Sequence, residues 1–273
     1  MVFYFFCGWT KTLADELGVP RVVFSPSAVY GTAVFHSMFR LMPKREDEHD
    51  DECPVSFPDI PGSPSYPWRQ LTLLYRLYKN GDEVSEGVKN NILSNMGSSC
   101  IVSNTFRQLE GRYLERPLAD LGFMRVRAIG PLAPEPNASD NRGGETAVAA
   151  SDLCAWLDQF ADGAVMYVSF GSMVVLQPPH AAALAAALER TGAPFVWAAG
   201  SSHAALLLPE GFEERAAVSG RGTVIRGWAP QLAALRHRAV GWFVIHCGWN
   251  SVLEAVAAGV AMLTWPMVAD QFI

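Results

Sequence analysis

Residues 242–258 read WFVIHCGWNSVLEAVAA and carry an apolar strand directly into a helix. The run WFVIH at 242–246 is aromatic and β-branched, which is typical of a strand buried on both faces of a parallel sheet. The helical stretch at 250–258 follows without a Pro- or Gly-rich loop. In parallel sheets, ligands bind beyond the carboxyl ends of the strands, so this junction is the first place to look for a site.

The same alternation of strand and helix extends outward from this junction in both directions. In the second half of the chain, further strands are predicted at 164–170, 195–199, 223–228 and 261–265. In the first half, strands are predicted at 1–9, 21–25, 100–104 and 125–129, and one long helical stretch at 68–95. Strands that alternate with helices predict parallel pairing with helices on both faces, a doubly wound α/β fold.

A change of composition divides the chain near its middle. Pro131, Pro134, Pro136 and the pair Gly143-Gly144 fall within a short segment, which is typical of a linker. We therefore expect a first domain over residues 1–132, a linker over 133–150 and a second domain over 151–273.

Composition excludes several classes of protein. The 273 residues include 21 basic and 27 acidic side chains, a net charge of −6, and half are hydrophobic. This balance is unlike a disordered tail, a nucleic-acid-binding protein or a membrane-surface protein. The apolar run 1–9 is too short to cross a membrane, which takes about 20 residues, and a buried strand is expected there. The five cysteines lack zinc or redox spacing, so we expect reduced thiols in the cytoplasm and no metal site.

Two predicted strand ends carry polar groups suited to phosphate. One is Gly171-Ser172, and the other is the segment 246–251, HCGWNS, which opens a helix. A helix N-terminus presents free N–H groups and the positive end of the helix dipole. From the residues alone an alternative stays open, because Ser251 and Glu254 also have the spacing of a helix capping box. A dinucleotide-dependent oxidoreductase is disfavoured, since no G-x-G-x-x-G run joins a strand to a helix.

Residues 228–271 resemble the signature segment of the plant secondary-product UDP-glycosyltransferases. The stretch begins WAPQ, contains HCGWNS and ends Asp270-Gln271, and the segments 168–172 (VSFGS), 129–132 (IGPL) and 17–20 (LGVP) resemble the same family. The resemblance implies the GT-B fold, with two Rossmann-like doubly wound parallel-sheet domains: an acceptor domain and a UDP-sugar domain, both incomplete here.

The resemblance also implies a role for each site residue. Trp228 would stack on uracil, the Ala229 backbone would read the base edge, and Gln231 and Glu254 would hold the ribose. The diphosphate would be bound by Ser172, His246, Gly248, Asn250 and Ser251. The sugar hydroxyl groups would be contacted by Trp249, Asp270 and Gln271. UDP-glucose is the expected donor co-substrate of an inverting transfer, without a separate cofactor. A small phenolic metabolite such as a flavonoid is the expected acceptor of a monomeric enzyme.

The sequence departs from the family pattern in the first domain. Tyr4 stands where the family has an aspartate that orients a catalytic histidine, and no histidine here has the family's context. Ala261 replaces a usual proline. We therefore expect a chain truncated at both ends and inactive as it stands. The alternative to a glycosyltransferase is a non-catalytic UDP-sugar-binding fragment or a degenerate gene product.

Overall fold

The structure is a computed structural model that describes residues 1–114, 125–132, 145–200 and 208–273. Its contacts divide the chain into two units. The first unit comprises Met1–Leu132 and Val268–Ile273, and the second comprises Ala133–Met267. The division falls where the composition changes, but the last six residues group with the first unit. Most of the predicted linker, 133–144, lies outside the described residues.

The first unit contains a parallel sheet of four strands. In chain order its elements are β1 (Val2–Tyr4), α1 (Thr10–Glu16), β2 (Val22–Ser25), α2 (Val29–Leu41), β3 (Pro54–Ser56), β4 (Ser65–Pro67), α3 (Leu73–Arg76), α4 (Glu83–Leu93), β5 (Cys100–Ser103), α5 (Arg107–Leu114) and β6 (Arg125–Ala128). The strand order is β1-β2-β5-β6, and β3 and β4 form a separate antiparallel pair.

The second unit contains a parallel sheet of five strands. Its elements are α6 (Ala150–Leu157), β7 (Val165–Ser169), α7 (Pro178–Thr191), β8 (Phe195–Gly200), α8 (Phe212–Val218), β9 (Gly222–Arg226), α9 (Gln231–Arg236), β10 (Val240–Ile245), α10 (Trp249–Ala258) and β11 (Ala261–Thr264). The strand order is β11-β10-β7-β8-β9.

The side chains of β10 show why the second sheet is covered on both faces. Phe243 and Ile245 are buried in one core with residues of α6, α9 and α10, while Val244 is buried in the other core with residues of α7 and α8. Successive side chains on a strand point to opposite faces. The prediction of a doubly wound parallel α/β fold is therefore confirmed.

Two predicted elements of the first unit differ in the structure. The predicted strand at 1–9 shortens to β1 at the edge of its sheet, where Val2 and Tyr4 are exposed. The predicted helix at 68–95 is broken into a short 3₁₀ turn, α3 and α4. A new helix begins because the Asp82 side chain accepts a hydrogen bond from the Ser85 N–H at 2.9 Å and so acts as an N-cap. In the described part of the chain, no helix is long and apolar enough to span a membrane.

A buried carboxylate fixes the start of α2. Glu110 is 5% exposed, and its two carboxylate oxygens accept hydrogen bonds from the N–H groups of Val29 at 2.8 Å and Tyr30 at 2.9 Å. These are the N–H groups that a helix cannot satisfy internally, and the helix dipole favours a negative charge beside them.

We predict that Glu110→Ala accelerates hydrogen exchange at the Val29 and Tyr30 amides by about 10- to 100-fold, because hydrogen bonds to a charged group contribute about 1.5–3 kcal/mol. Exchange followed by NMR measures this effect. Glu16→Ala, which removes an exposed carboxylate at the end of α1, is the matched control and leaves both amides unchanged. Unchanged exchange in Glu110→Ala would contradict the capping role.

Candidate functional site

The loops after β7 and β10 lie where the strand order of the second sheet reverses. The chain runs from β7 outward through β8 to β9, and then returns to the other side of β7 to form β10 and β11. Ser169 and Ile245 are register partners, so the two strands end at the same level. In open parallel sheets this reversal opens a crevice in which ligands bind.

The His246 imidazole lies between two glycines, one from each loop. A Cβ atom on Gly171 would come within 2.6 Å of His246 Nε2, and a Cβ atom on Gly248 within 2.3 Å. Real Cβ atoms do not approach a ring nitrogen so closely, so a side chain at either position would displace the His246 ring. Gly171 also has a φ of +70°, which favours glycine independently. The ring is 9% exposed.

The helix α10 begins at Trp249, three positions after this histidine. Gly248 is its N-cap residue and makes no side-chain cap hydrogen bond, and the N–H groups of Trp249, Asn250 and Ser251 lie in the first turn. Cys247 turns the chain with a φ of +65°, which is uncommon for a residue other than glycine. Such strain is often found at functional sites. The N-terminus of α10 therefore suits an anion held beside His246.

The capping-box interpretation of Ser251 and Glu254 is wrong. Ser251 lies inside the first turn of α10 and is not its cap residue, which is Gly248. Both side chains instead contact α9, where Gln231 Nε2 donates to Glu254 Oε2 at 2.7 Å and to Ser251 Oγ at 3.1 Å. The structure thus joins three residues that the resemblance assigns to ribose and phosphate.

Backbone contacts hold Trp228 at the end of β9. Its carbonyl accepts a hydrogen bond from the Ala147 N–H at 2.8 Å, and Thr146 forms a parallel bridge with it. Part of the predicted linker is therefore a short β contact. The next residue, Ala229, accepts a hydrogen bond from the Gln231 N–H at 2.8 Å. The half-buried indole of Trp228 thus precedes the polar cluster by three positions.

Two groups near these residues, one fully buried and one partly buried, are electrically neutral at ordinary pH. Tyr167 is fully buried in β7, and burial, followed by the negative charge of Glu254, raises the pKa of its phenol. Burial also raises the pKa of the Cys247 thiol. A thiol with a raised pKa is a poor nucleophile.

The remaining site residues are divided between the units. Ser172 and Asn250 are exposed beyond β7 and at the start of α10, and Trp249 is half-buried there. Asp270 and Gln271 belong to the first unit. Asp270 Oδ2 accepts a hydrogen bond from the Ser27 hydroxyl at 2.6 Å, and Gln271 Oε1 accepts one from the Val268 N–H at 2.9 Å. Sequence reasoning missed Ser27, because its partner is 243 positions away.

Tyr4 and His36 are a phenol at the end of β1 and an imidazole inside α2. Tyr4 is exposed in part, and the partial burial of its phenol, followed by the negative charge of Asp270, raises its pKa, so it stays protonated at ordinary pH. His36 is fully buried within α2, its Nδ1 lies 2.9 Å from the Thr32 carbonyl oxygen, and burial lowers its pKa to about 4. Among the described residues, no group of His, Cys, Asp or Glu side chains could hold a metal ion.

Comparisons with known proteins agree with this geometry. The family described as UDP-glucoronosyl and UDP-glucosyl transferase matches residues 131–273. The chain is 47% identical to UDP-glycosyltransferase 89B2 of Stevia rebaudiana over 98% of its own length and 58% of the relative. It is also 47% identical to a flavonol 3-O-glucosyltransferase of Arabidopsis thaliana, over 98% and 56%. The structure of a UGT transferase of Siraitia grosvenorii in complex with UDP superposes with a TM-score of 0.79, at 31% identity, over 99% of this chain and 63% of that one.

These findings define the class: an α/β protein with the two parallel sheets of the GT-B fold. The chain belongs to the plant UDP-glycosyltransferase family. It spans about half the length of the curated relatives it matches.

We predict that Gly248→Ala weakens the binding of UDP by about 5- to 100-fold. The added methyl group forces His246 out of place, and overpacking of this kind typically costs about 1–3 kcal/mol. Isothermal titration calorimetry measures the change. Gly87→Ala is the matched control, because that helical glycine has open space around its Cβ position and leaves UDP affinity unchanged. Equal UDP affinities for Gly248→Ala and the wild type would contradict the role of the glycine pair.

Proposed function

We propose that the second unit binds the UDP-sugar of a reaction that transfers a hexose to a hydroxyl group of a small metabolite, and that this chain is inactive in that transfer as it stands. The observation that carries this proposal is the hydrogen-bonded cluster of Gln231, Ser251 and Glu254 beside the N-terminus of α10. A carboxylate and an amide that already face each other match the two vicinal hydroxyl groups of a ribose.

Each part of the nucleotide has a group of suitable chemistry. Trp228 offers an aromatic face to the uracil, a contact worth about 1–3 kcal/mol per base, and the Ala229 backbone reads the base edge. The Glu254 carboxylate accepts hydrogen bonds from the ribose hydroxyl groups, and the Gln231 amide donates and accepts them. The diphosphate binds at the α10 N-terminus with the donors at the two strand ends, which are Ser172, His246, Gly248, Asn250 and Ser251. The α10 N-terminus offsets part of the negative charge of the diphosphate.

The sugar is assigned to Trp249, Asp270 and Gln271. Polar side chains of this kind bind sugar hydroxyls through directional hydrogen bonds. Glucose is the proposed hexose, and a phenolic compound such as a flavonoid is the proposed acceptor. The name of the Arabidopsis relative, a flavonol 3-O-glucosyltransferase, supports both choices.

The proposed reaction is a single displacement with inversion. The acceptor oxygen forms a bond to the anomeric carbon, its proton passes to a base, and the bond between that carbon and the phosphate oxygen breaks. The electron pair leaves with UDP, whose developing negative charge is stabilised by the α10 N–H groups and by His246. UDP-glucose is a co-substrate here, and the proposal includes no separate cofactor.

A second candidate function is UDP-sugar binding without transfer. Tyr4 favours it, because a protonated phenol stands where the family has the carboxylate that orients the base. We further propose a monomer in the cytoplasm. Free thiols at all five cysteines support a reducing compartment.

We predict that Trp228→Ala and Glu254→Gln each weaken UDP binding by about tenfold. The first removes the stacking surface, and the second removes the charge that accepts ribose hydroxyls. Titration calorimetry measures both affinities. The matched controls are Trp242→Ala, which removes an exposed indole of β10, and Glu189→Gln, which removes an exposed carboxylate paired with Arg215.

The same titrations separate the nucleotide-sugar proposal from a dinucleotide-dependent oxidoreductase. The wild-type chain binds UDP-glucose and shows no heat of binding with NADH. Tight binding of NADH, or UDP affinities that both active-site variants leave intact, would overturn the proposal.

We also predict that the chain binds UDP-glucose but forms no detectable glucoside from a flavonol, since Tyr4 cannot act as the orienting carboxylate. Chromatographic analysis of a long incubation with UDP-glucose and the flavonol tests this prediction. A full-length glycosyltransferase serves as the positive control. Flavonol glucoside formed by the purified chain would reject the non-catalytic candidate and favour transfer.

A further inference from the structure

The phenol of Tyr167 is a buried polar group for which the core of the second unit supplies no hydrogen bond. Tyr167 lies in the middle of β7 and is 0% exposed, and its hydroxyl group has no hydrogen-bond partner among the described residues. An unpaired buried hydroxyl group destabilises a fold. A position that needed only an aromatic ring would be better filled by phenylalanine, so the hydroxyl group itself calls for an explanation.

The ring of Tyr167 packs among apolar side chains on the face of the sheet that α9 and α10 cover. Its centre lies 5.2 Å from that of the Phe243 ring in β10, and its register partner in β8 is Val196. Ala234 of α9 and Ala255 of α10 belong to the same core. None of these four side chains can accept a hydrogen bond. An acceptor for the phenol therefore has to come from the polar residues of the two helices.

Glu254 is the charged group that acts on this phenol. It directly precedes Ala255 in α10 and is half-buried. Burial, followed by the negative charge of Glu254, raises the pKa of Tyr167, so the phenol keeps its proton and remains a donor. A hydrogen bond from a hydroxyl group to a carboxylate is stronger than one between two neutral groups.

The Glu254 carboxylate is held by α9 in this structure. Gln231 Nε2 donates a hydrogen bond to Glu254 Oε2 at 2.7 Å and another to Ser251 Oγ at 3.1 Å. Ribose hydroxyl groups that bind here compete with the Gln231 amide for the same carboxylate. A carboxylate that exchanges one donor for others needs a second fixed point if it is to keep its orientation.

We propose that Tyr167 is a positioning residue whose hydroxyl group donates a hydrogen bond to the Glu254 carboxylate when ribose hydroxyl groups replace the Gln231 amide. This inference rests on the proposed ribose-binding role of Glu254. Tyr167 acts from the interior of the unit and does not touch the nucleotide. Because the core already fixes the phenol ring, this hydrogen bond forms with little further loss of side-chain freedom.

The test compares two nucleotides on the full chain. In Tyr167→Phe, we expect the dissociation constant for UDP to rise about fivefold, because the carboxylate loses its inner donor. The constant for 2′,3′-dideoxyuridine 5′-diphosphate, which lacks the ribose hydroxyl groups, stays within about 1.5-fold of the wild type. Titration calorimetry measures all four constants.

Thermal unfolding of the same variant without nucleotide separates positioning from packing. The unfolding midpoint of Tyr167→Phe stays at or above that of the wild type, because the variant keeps the ring and loses an unpaired hydroxyl group. Tyr75→Phe is the matched control. It removes a buried phenol hydroxyl group of the first unit, which donates to the Pro43 carbonyl, and leaves UDP affinity unchanged. A lower midpoint with equal losses for both nucleotides would assign Tyr167 to packing and overturn the inference.

A double variant tests whether Tyr167 acts through Glu254. In a Glu254→Ala background, Tyr167→Phe has no further effect on UDP affinity. A further loss in the double variant would overturn the inference. If the wild-type chain binds UDP and Tyr167→Phe binds it equally well, the inference fails and the proposed function stands. A wild-type chain that does not bind UDP refutes the proposed function and this inference together.

Discussion

The contact of the His246 imidazole with two glycines is the constraint on which the second unit depends. Gly171 and Gly248 follow neighbouring parallel strands, and neither position leaves room for a side chain beside the ring. The parallel pairing of β7 with β10 places the loops after these strands side by side at the reversal of strand order. The His246 imidazole and the N-terminus of α10 then lie in one crevice, which is a physical basis for binding a phosphate group.

Other features of the site follow from that contact. Cys247 adopts a left-handed conformation between His246 and Gly248, and Gly248, as the N-cap residue of α10, provides no side-chain cap. Ser251 and Glu254 therefore do not cap the helix, and their side chains contact Gln231 instead. The positive end of the helix dipole and a polar cluster therefore lie on one helix, a single turn apart. A nucleoside diphosphate likewise carries a charged diphosphate next to a ribose with hydroxyl groups. The order of these groups therefore matches the order of the helix N-terminus and the polar cluster.

The fold was largely accessible from the sequence, because strands buried on both faces leave strong apolar runs such as 242–246. Local contacts of polar side chains were harder to predict from the sequence. The spacing of Ser251 and Glu254 suits either a cap or a ligand, and only the start of α10 at Trp249 decides between them. The break before α4 depends on one side-chain hydrogen bond of Asp82, which periodicity cannot detect. The Ser27–Asp270 hydrogen bond joins distant parts of the sequence, so no local pattern predicts it.

The assignment of UDP to the crevice of the second unit is the central claim. A crystal structure of the chain with UDP tests it most directly. The account predicts uracil stacked on Trp228, ribose hydroxyls within hydrogen-bond distance of Glu254, and the diphosphate at the N-terminus of α10 beside His246. UDP bound elsewhere, or with its diphosphate away from α10, would contradict the account.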